Sequence, residues 1–257
     1  MNNFALITWA SSWIWFDFAE IFAKDNINLV LVARSFDKLK EIKQNLETKY
    51  KIQVFILEKD LSEQNAPKEV YEFTNSNNLR IDYLVNNAWF WDYWDFSESD
   101  VLRNTQMINL NILSLTNLTR YYVSDMKKNK FWKILNISST ASFQPWPYMA
   151  VYFATKAYVS SFSLALASEL KNDNITITTL CPWPTKSNFE KVSNSSWIAI
   201  FSWKVASSYD VAMLWYKSML SWKKIVVHWF NNWLKAYGVR FLPTELMLKM
   251  MSFIMKK

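Results

Sequence analysis

Residues Phe4 to Trp15 read F-A-L-I-T-W-A-S-S-W-I-W. An apolar run of strand length stops at a turn of small polar residues. The chain then restarts with Phe18, Ile21 and Phe22 at the spacing of one helix face. A strand–turn–helix junction that cradles a pyrophosphate needs glycine three times. One permits the tight turn, one lets the backbone approach the phosphates, and one lets the helix pack against the strand. Positions 9, 13 and 15 instead carry tryptophan, the bulkiest side chain available.

The composition repeats this exchange along the chain. There are 15 Trp and 1 Gly among 257 residues, where ordinary usage of about 7% predicts roughly 18 glycines. Trp89 follows Asn86-Asn87-Ala88, Trp146 lies between two prolines, Trp183 follows Pro182, and Trp222 lies in Ser221-Trp222-Lys223-Lys224. These are turn contexts, where a positive φ suits glycine and strains any residue with a Cβ. Core tryptophans would follow helix or strand periodicity; these follow turns. The expectation is that the written tryptophans stand for glycines. One route is a gene whose UGA codons mean glycine, translated with a table that reads them as tryptophan. GGN or TGG codons at these positions would refute it.

A chain of this length can bury one sizeable core, and no repeat, low-complexity tract or linker divides it, so residues 1–257 read as one domain. No apolar run reaches the length of a membrane-spanning helix, and the N-terminus enters a strand at once, so no secretory signal is expected. The lone Cys181 has no internal partner, which fits a reducing cytoplasm. The net charge of +7 is spread along the chain, as suits a solvated surface that favours an anionic cofactor; nucleic-acid binding is not expected. The single histidine, His228, is read as structural, and no metal site is expected.

Strand-like runs alternate with helical patterns, which predicts a parallel sheet with crossover helices. Strands are expected at Phe4–Thr8, Asn28–Ala33, Ile52–Leu57, Asp82–Asn86, Lys133–Ser138, Ile175–Leu180 and Lys224–Val227. Helices are expected after the first turn, over Phe36–Tyr50 with Leu39, Ile42 and Leu46 on one face, over about Ser97–Lys127, and over Ala150–Leu170. The fold class read from the pattern is α/β with a parallel sheet.

With glycine for tryptophan, four motifs stand in order at strand ends: Thr8–Trp15, Asn86-Asn87-Ala88-Trp89, Tyr152-Phe-Ala-Thr-Lys156 and Pro182-Trp183-Pro184-Thr185. Together they resemble the TGxxxGIG, NNAG, YxxxK and PG motifs of the short-chain dehydrogenase/reductase family, a likeness that spans about residues 4–227. The resemblance implies the doubly wound Rossmann form, with seven parallel strands in the order 3-2-1-4-5-6-7. A lone Y-x-x-x-K recurs by chance; the ordered set of four does not.

Tyr152 and Lys156 are four apart on an expected helix and so share a face. An ordinary tyrosine titrates near 10, too high for proton exchange near neutrality. A neighbouring ammonium favours the phenolate, so the expectation is a lowered Tyr152 and a usable general acid/base. The resemblance implies further roles. Lys156 would also bind the nicotinamide ribose. Ser139 would polarise the substrate carbonyl, with Ser138 as the alternative. Asn111 would hold a water for proton relay, with Asn109 the alternative.

The second strand ends Val32-Ala33-Arg34-Ser35, with no acid to take a ribose 2′-hydroxyl. Arg34 can pair bidentately with a 2′-phosphate and Ser35 can donate to it, so NADP(H) is the expected cofactor. By the resemblance, Thr8, Trp9, Ser11, Ser12, Trp13 and Ile14 form the phosphate loop and Asp60 and Leu61 contact the adenine. Asn87, Ala88 and Trp89 line the cofactor, and Pro182, Trp183 and Thr185 reach the carboxamide. Read literally, Trp9, Trp13 and Trp15 fill the pyrophosphate space, and a polypeptide that contains them should bind NADP(H) poorly.

A substrate loop is expected over about 186–221. Its Phe189, Ile198, Ile200 and Phe201 point to an apolar carbonyl or alcohol substrate. The tail over about 230–257 is apolar and begins a helix near Pro243. It suits packing over the pocket or a second copy of the chain, and Lys235, Arg240, Lys249, Lys256 and Lys257 would also suit peripheral contact with anionic lipid. The sequence thus predicts an NADP(H)-dependent oxidoreductase interconverting carbonyl and alcohol, a homo-oligomer as the family often is, in the cytoplasm or at a membrane surface. The alternative is a dinucleotide-binding sensor or scaffold without turnover.

Overall fold

The computed structural model describes residues 3–9, 13–129, 132–182, 208–227, 238 and 243–255, with side chains withheld at 13–15, 129, 208 and 250–255. The strands are β1 (Phe4–Thr8), β2 (Asn28–Ala33), β3 (Val54–Glu58), β4 (Ile81–Asn86), β5 (Trp132–Ile137), β6 (Ile175–Cys181) and β7 (Ile225–Val227). They form one parallel sheet in the order β3-β2-β1-β4-β5-β6-β7, as expected. Strand β3 starts two residues later than the sequence implied, and the other strand ends differ by a residue at most.

Alternation along the strands explains why the sheet is covered twice. In β1 and β2, Ala5, Ile7, Leu29, Leu31 and Ala33 enter one core, while Phe4, Leu6, Val30 and Val32 enter the other. Successive side chains of a strand point to opposite faces, so a run such as Leu29–Val32 is continuously apolar because both faces are dry. The first core is closed by α1 (Trp13–Lys24) with Phe18 and Phe22, α2 (Phe36–Tyr50) with Leu39 and Leu46, and a helix over Ser208–Leu220 with Trp215 and Tyr216. The second is closed by α3 (Ala66–Ser76), which sequence periodicity did not single out, and by α5 (Leu115–Asn129) and α6 (Ala150–Glu169).

The long helix expected over Ser97–Lys127 is broken into parts. A 3-10 turn at Phe96–Glu98 precedes α4 (Val101–Ile108), a π-helical segment spans Asn109–Ser114, and α5 follows. The helix over Ser208–Leu220 is α7, and Thr244–Met255, opening on the Pro243 carbonyl, is α8. Most of the expected substrate loop, with Phe189, Ile198, Ile200 and Phe201, lies outside the described residues. So do His228, Lys235, Arg240, Lys256 and Lys257 in the tail. Among the described residues no helix is long and apolar enough to cross a membrane, and none of the His, Cys, Asp and Glu side chains cluster as a metal site.

Candidate active site at the carboxyl ends of the strands

The strand order reverses between β1 and β4, and in open parallel sheets ligands bind in the crevice at that switch point. Thr8 closes the bottom of the crevice. Its hydroxyl donates to the Val85 carbonyl at 3.2 Å and accepts from the backbone N–H groups of Asn87 and Ala88 at 2.8 and 3.0 Å. Asn87 Nδ2 donates back to the Thr8 carbonyl at 3.0 Å. A buried hydroxyl thus ties two parallel strand ends whose ladder has run out, a reason for threonine beyond strand propensity.

Tyr152 and Lys156 share the inner face of α6, both buried. Ser139 follows β5; its hydroxyl lies near enough to the Tyr152 phenol to favour the phenolate, and it accepts from the Ala141 N–H at 3.1 Å. Ser138, the alternative, turns away: it donates to the Lys156 carbonyl at 2.9 Å and meets Ser160 Oγ at 2.7 Å. The structure therefore brings Ser139, and not Ser138, to Tyr152. Asn111 lies in the π segment with its side chain engaged by protein. Its Oδ1 accepts from the Phe90 N–H at 3.1 Å, and its Nδ2 donates to the Phe90 carbonyl and to Thr155 Oγ1, each at 3.0 Å. Asn109 is at the start of the same segment. Sequence reasoning missed Thr155, Ser160, Asn136 and Ser163. Asn86 Nδ2 donates to Thr119 Oγ1 and Asn136 Oδ1, and Asn136 Nδ2 donates to Ser163 Oγ, a buried polar chain beneath the site. Only their polarity within apolar strand and helix patterns could have signalled them.

The electrostatics correct one expectation. Burial raises the Tyr152 phenol above its ordinary range, and the Ser139 hydrogen bond offsets only part of that. Burial likewise drives the Lys156 amine well below the usual lysine value, against a weak opposing effect of Cys181. The expected lowering of Tyr152 by Lys156 is absent because Lys156 Nζ lies 5.8 Å from the phenol ring centroid and donates to the Ile137 carbonyl at 3.0 Å. Both groups are covered by Trp89, whose ring centroid is 4.5 Å from Lys156 Nζ and 5.9 Å from the Tyr152 ring.

At the far end of the crevice Arg34 is largely exposed and pairs with Asp60 at 3.7 Å, while Ser35 caps α2 without using its side chain. Leu61 is buried in the second core. Ser11, Ser12, Trp183 and Thr185 lie outside the described residues, as do the side chains of Trp13 and Ile14; Pro182 accepts from the Thr140 N–H at 3.1 Å.

The sequence matches the family described as short chain dehydrogenase over residues 3–197. The chain belongs to that family. It is 33% identical over 196 residues to the very-long-chain 3-oxoacyl-CoA reductase of Rattus norvegicus, a match over 75% of this chain and 62% of the rat protein. Among solved structures it is similar to a short-chain dehydrogenase from Sphingobium yanoikuyae in complex with NADPH, with TM-score 0.82, 25% identity, and 96% and 95% of the two chains covered. It is also similar to L-sorbose reductase from Gluconobacter frateurii complexed with NADPH and L-sorbose, with TM-score 0.75, 25% identity, and 84% and 89% covered. The family binds a nicotinamide dinucleotide, and this chain's polar donors fit one. Asn87 Oδ1 is a buried acceptor without a hydrogen-bond partner among the described residues, Lys156 Nζ is held at the Ile137 carbonyl at the end of β5, and Arg34 directly follows β2. The rings of Trp9 and Trp89 do not fit it, because they meet across that crevice at 6.1 Å.

Proposed function

We propose that this oxidoreductase is an NADP(H)-dependent reductase that interconverts a carbonyl and an alcohol on an apolar substrate. The observation that carries the reading is the placement of Tyr152 and Lys156 one turn apart on the buried face of α6, with Ser139 at the end of β5 beside Tyr152. The dinucleotide supplies or accepts the hydride. Ser139 orients the carbonyl oxygen, Tyr152 delivers the proton to it, and Lys156 fixes the ribose side. Asn111, held at Phe90 and Thr155, keeps the π segment against α6 and offers its carbonyl to a relay water. Arg34 and Ser35 favour the 2′-phosphate of NADP(H).

The apolar cluster beside Tyr152, built from Trp91, Met107, Ala141 and Phe153, supports an apolar substrate. A 3-oxoacyl thioester with a long chain is the class the rat relative's name brings forward. Exposed Leu113, Tyr158 and Leu164 on the π segment and α6 support contact between copies of the chain, and the tail supports a cytoplasmic protein with peripheral membrane contact. The glycines expected at turn positions such as Trp9 and Trp222 belong to the same reading, whereas Trp132 in β5 and Trp215 in α7 depart from the expected turn placement and are buried in the cores.

The test is NADPH oxidation with long-chain 3-oxoacyl thioesters by the protein carrying all fifteen Trp→Gly exchanges, beside its Tyr152→Phe variant. Turnover that falls by about 10²–10⁴ in Tyr152→Phe, with NADPH binding retained, supports the proposal. Binding without turnover in the parent would make the protein a dinucleotide sensor or scaffold instead.

A further inference from the structure

Trp9 leaves β1 and Trp89 leaves the segment after β4, so each projects from one wall of the crevice at the switch point. Trp9 holds φ 57°, a left-handed conformation that costs an L-residue about 1–2 kcal/mol. Its amide donates to the Val32 carbonyl at 2.7 Å, which pins the backbone and with it the direction of the side chain. The two rings meet edge to face, centroids 6.1 Å apart and planes at 84°. Trp89 then continues onto Tyr152 and Lys156 at tilted-stack and cation–π distances. The result is one aromatic chain from the mouth of the crevice to the proton-transfer residues.

We infer that Trp9 and Trp89 together close the dinucleotide crevice, so that the chain as written is held in a form that excludes NADP(H). The inference rests on the proposed function for the identity of the ligand, but it assigns the barrier to two residues. Trp89 is the more consequential. Trp9 obstructs the path along β1, whereas Trp89 covers the ammonium that must face a ribose and the phenol that must face a carbonyl. The edge-to-face pair and the cation–π contact must both be given up before a ligand enters. If the open form is a tenth or less of the population, apparent affinity falls by about tenfold or more.

The experiment is a titration with NADPH, read by nucleotide fluorescence and by calorimetry. The proteins are the chain as written, Trp9→Gly, Trp89→Gly, the Trp9→Gly/Trp89→Gly pair, and Trp222→Gly as a control outside the crevice. Trp89→Ala is a second variant in case glycine loosens the fold. The expected result is an affinity at least about tenfold higher in the pair, a partial gain in Trp89→Gly and Trp89→Ala, and none in Trp222→Gly. Equal affinity in the written chain and the pair overturns the inference. So does a gain in Trp222→Gly as large as in the pair, which would mean general loosening. If the pair fails to bind while the protein with all fifteen exchanges does bind, the barrier lies elsewhere and only this inference falls. If that protein also fails to bind, the cofactor assignment falls with it.

Discussion

Trp222 holds φ 62° and is 58% exposed, with Lys133 Nζ 5.2 Å from its ring. A left-handed L-residue costs about 1–2 kcal/mol, and glycine there costs only its extra unfolded-state entropy of about 0.5–1 kcal/mol. An exposed cation–π contact returns about 0.5 kcal/mol. Trp222→Gly should therefore unfold in urea at the same or a slightly higher midpoint, whereas loss of an ordinary packed tryptophan would lower it clearly. Lys156 makes a pH prediction of definite sign. Its folded-state value is depressed by burial, so between that value and about 10.4 the unfolded chain holds a proton that the folded chain lacks. Stability from this group rises with pH across that window and is diminished below it. Lys156→Met should flatten the rise, as measured by urea unfolding at a series of pH values below about 10. At Arg34, removal of a charge-assisted phosphate contact of about 1.5–3 kcal/mol should weaken NADPH by tens-fold in Arg34→Ala while leaving NADH unchanged, measured in the fifteen-glycine protein. The Asp60 pair is exposed enough that its loss should matter little to stability.

The π segment at Asn109–Ser114 is the element whose geometry the site depends on. It inserts one extra residue into what would otherwise be a continuous helix from α4 into α5, and such bulges occur often where a helix must aim a side chain. Asn111 reaches Phe90 and Thr155 because of it. Thr155 Oγ1 also donates to the Tyr152 carbonyl at 2.7 Å, so one hydroxyl joins the π segment to the helix that carries Tyr152 and Lys156. Thr155→Val keeps the shape and removes that hydroxyl, leaving a buried Asn111 donor unmet. It should cost about 1–3 kcal/mol of stability, measured by denaturant unfolding. Ile112→Val, on the same segment, has no such role and serves as the comparison. Sequence periodicity predicted a helix here but not its break, because a π turn leaves the apolar spacing almost unchanged and is decided by where the side chains find partners.

For the whole molecule the controlling feature is a sheet dry on both faces. Leu31 is fully buried in the first core, and Leu31→Ala should cost about 2–5 kcal/mol, lowering the urea midpoint without changing the slope. The doubly covered parallel sheet was legible from the sequence because a continuous apolar run such as Leu29–Val32 has only one comfortable place, the middle of such a sheet, and the strand order came with the resemblance of the motifs to the family. Helix α3 was not legible. Its Ala66, Pro67, Val70 and Thr74 make a short stripe interrupted by polar residues, and it is recruited by packing against the second core. Lys133 was equally hidden: a charged residue within β5, it reaches the last carbonyls of α7, at Met219 and Leu220, which only the folded chain brings near.

The sequence by itself determined the α/β class, the positions of the seven strands and the pairing of Tyr152 with Lys156 on one helix face. These follow from local periodicity, spacing and backbone sterics, which a chain carries along its length. The tertiary structure alone decided that Ser139 and not Ser138 meets Tyr152, and that Asn111 is held by Phe90 and Thr155. It also decided that Tyr152 and Lys156 are shifted by burial and not by each other. Each of these depends on the distance and water content between residues far apart in sequence, and those quantities exist only once the strand ends have been brought together.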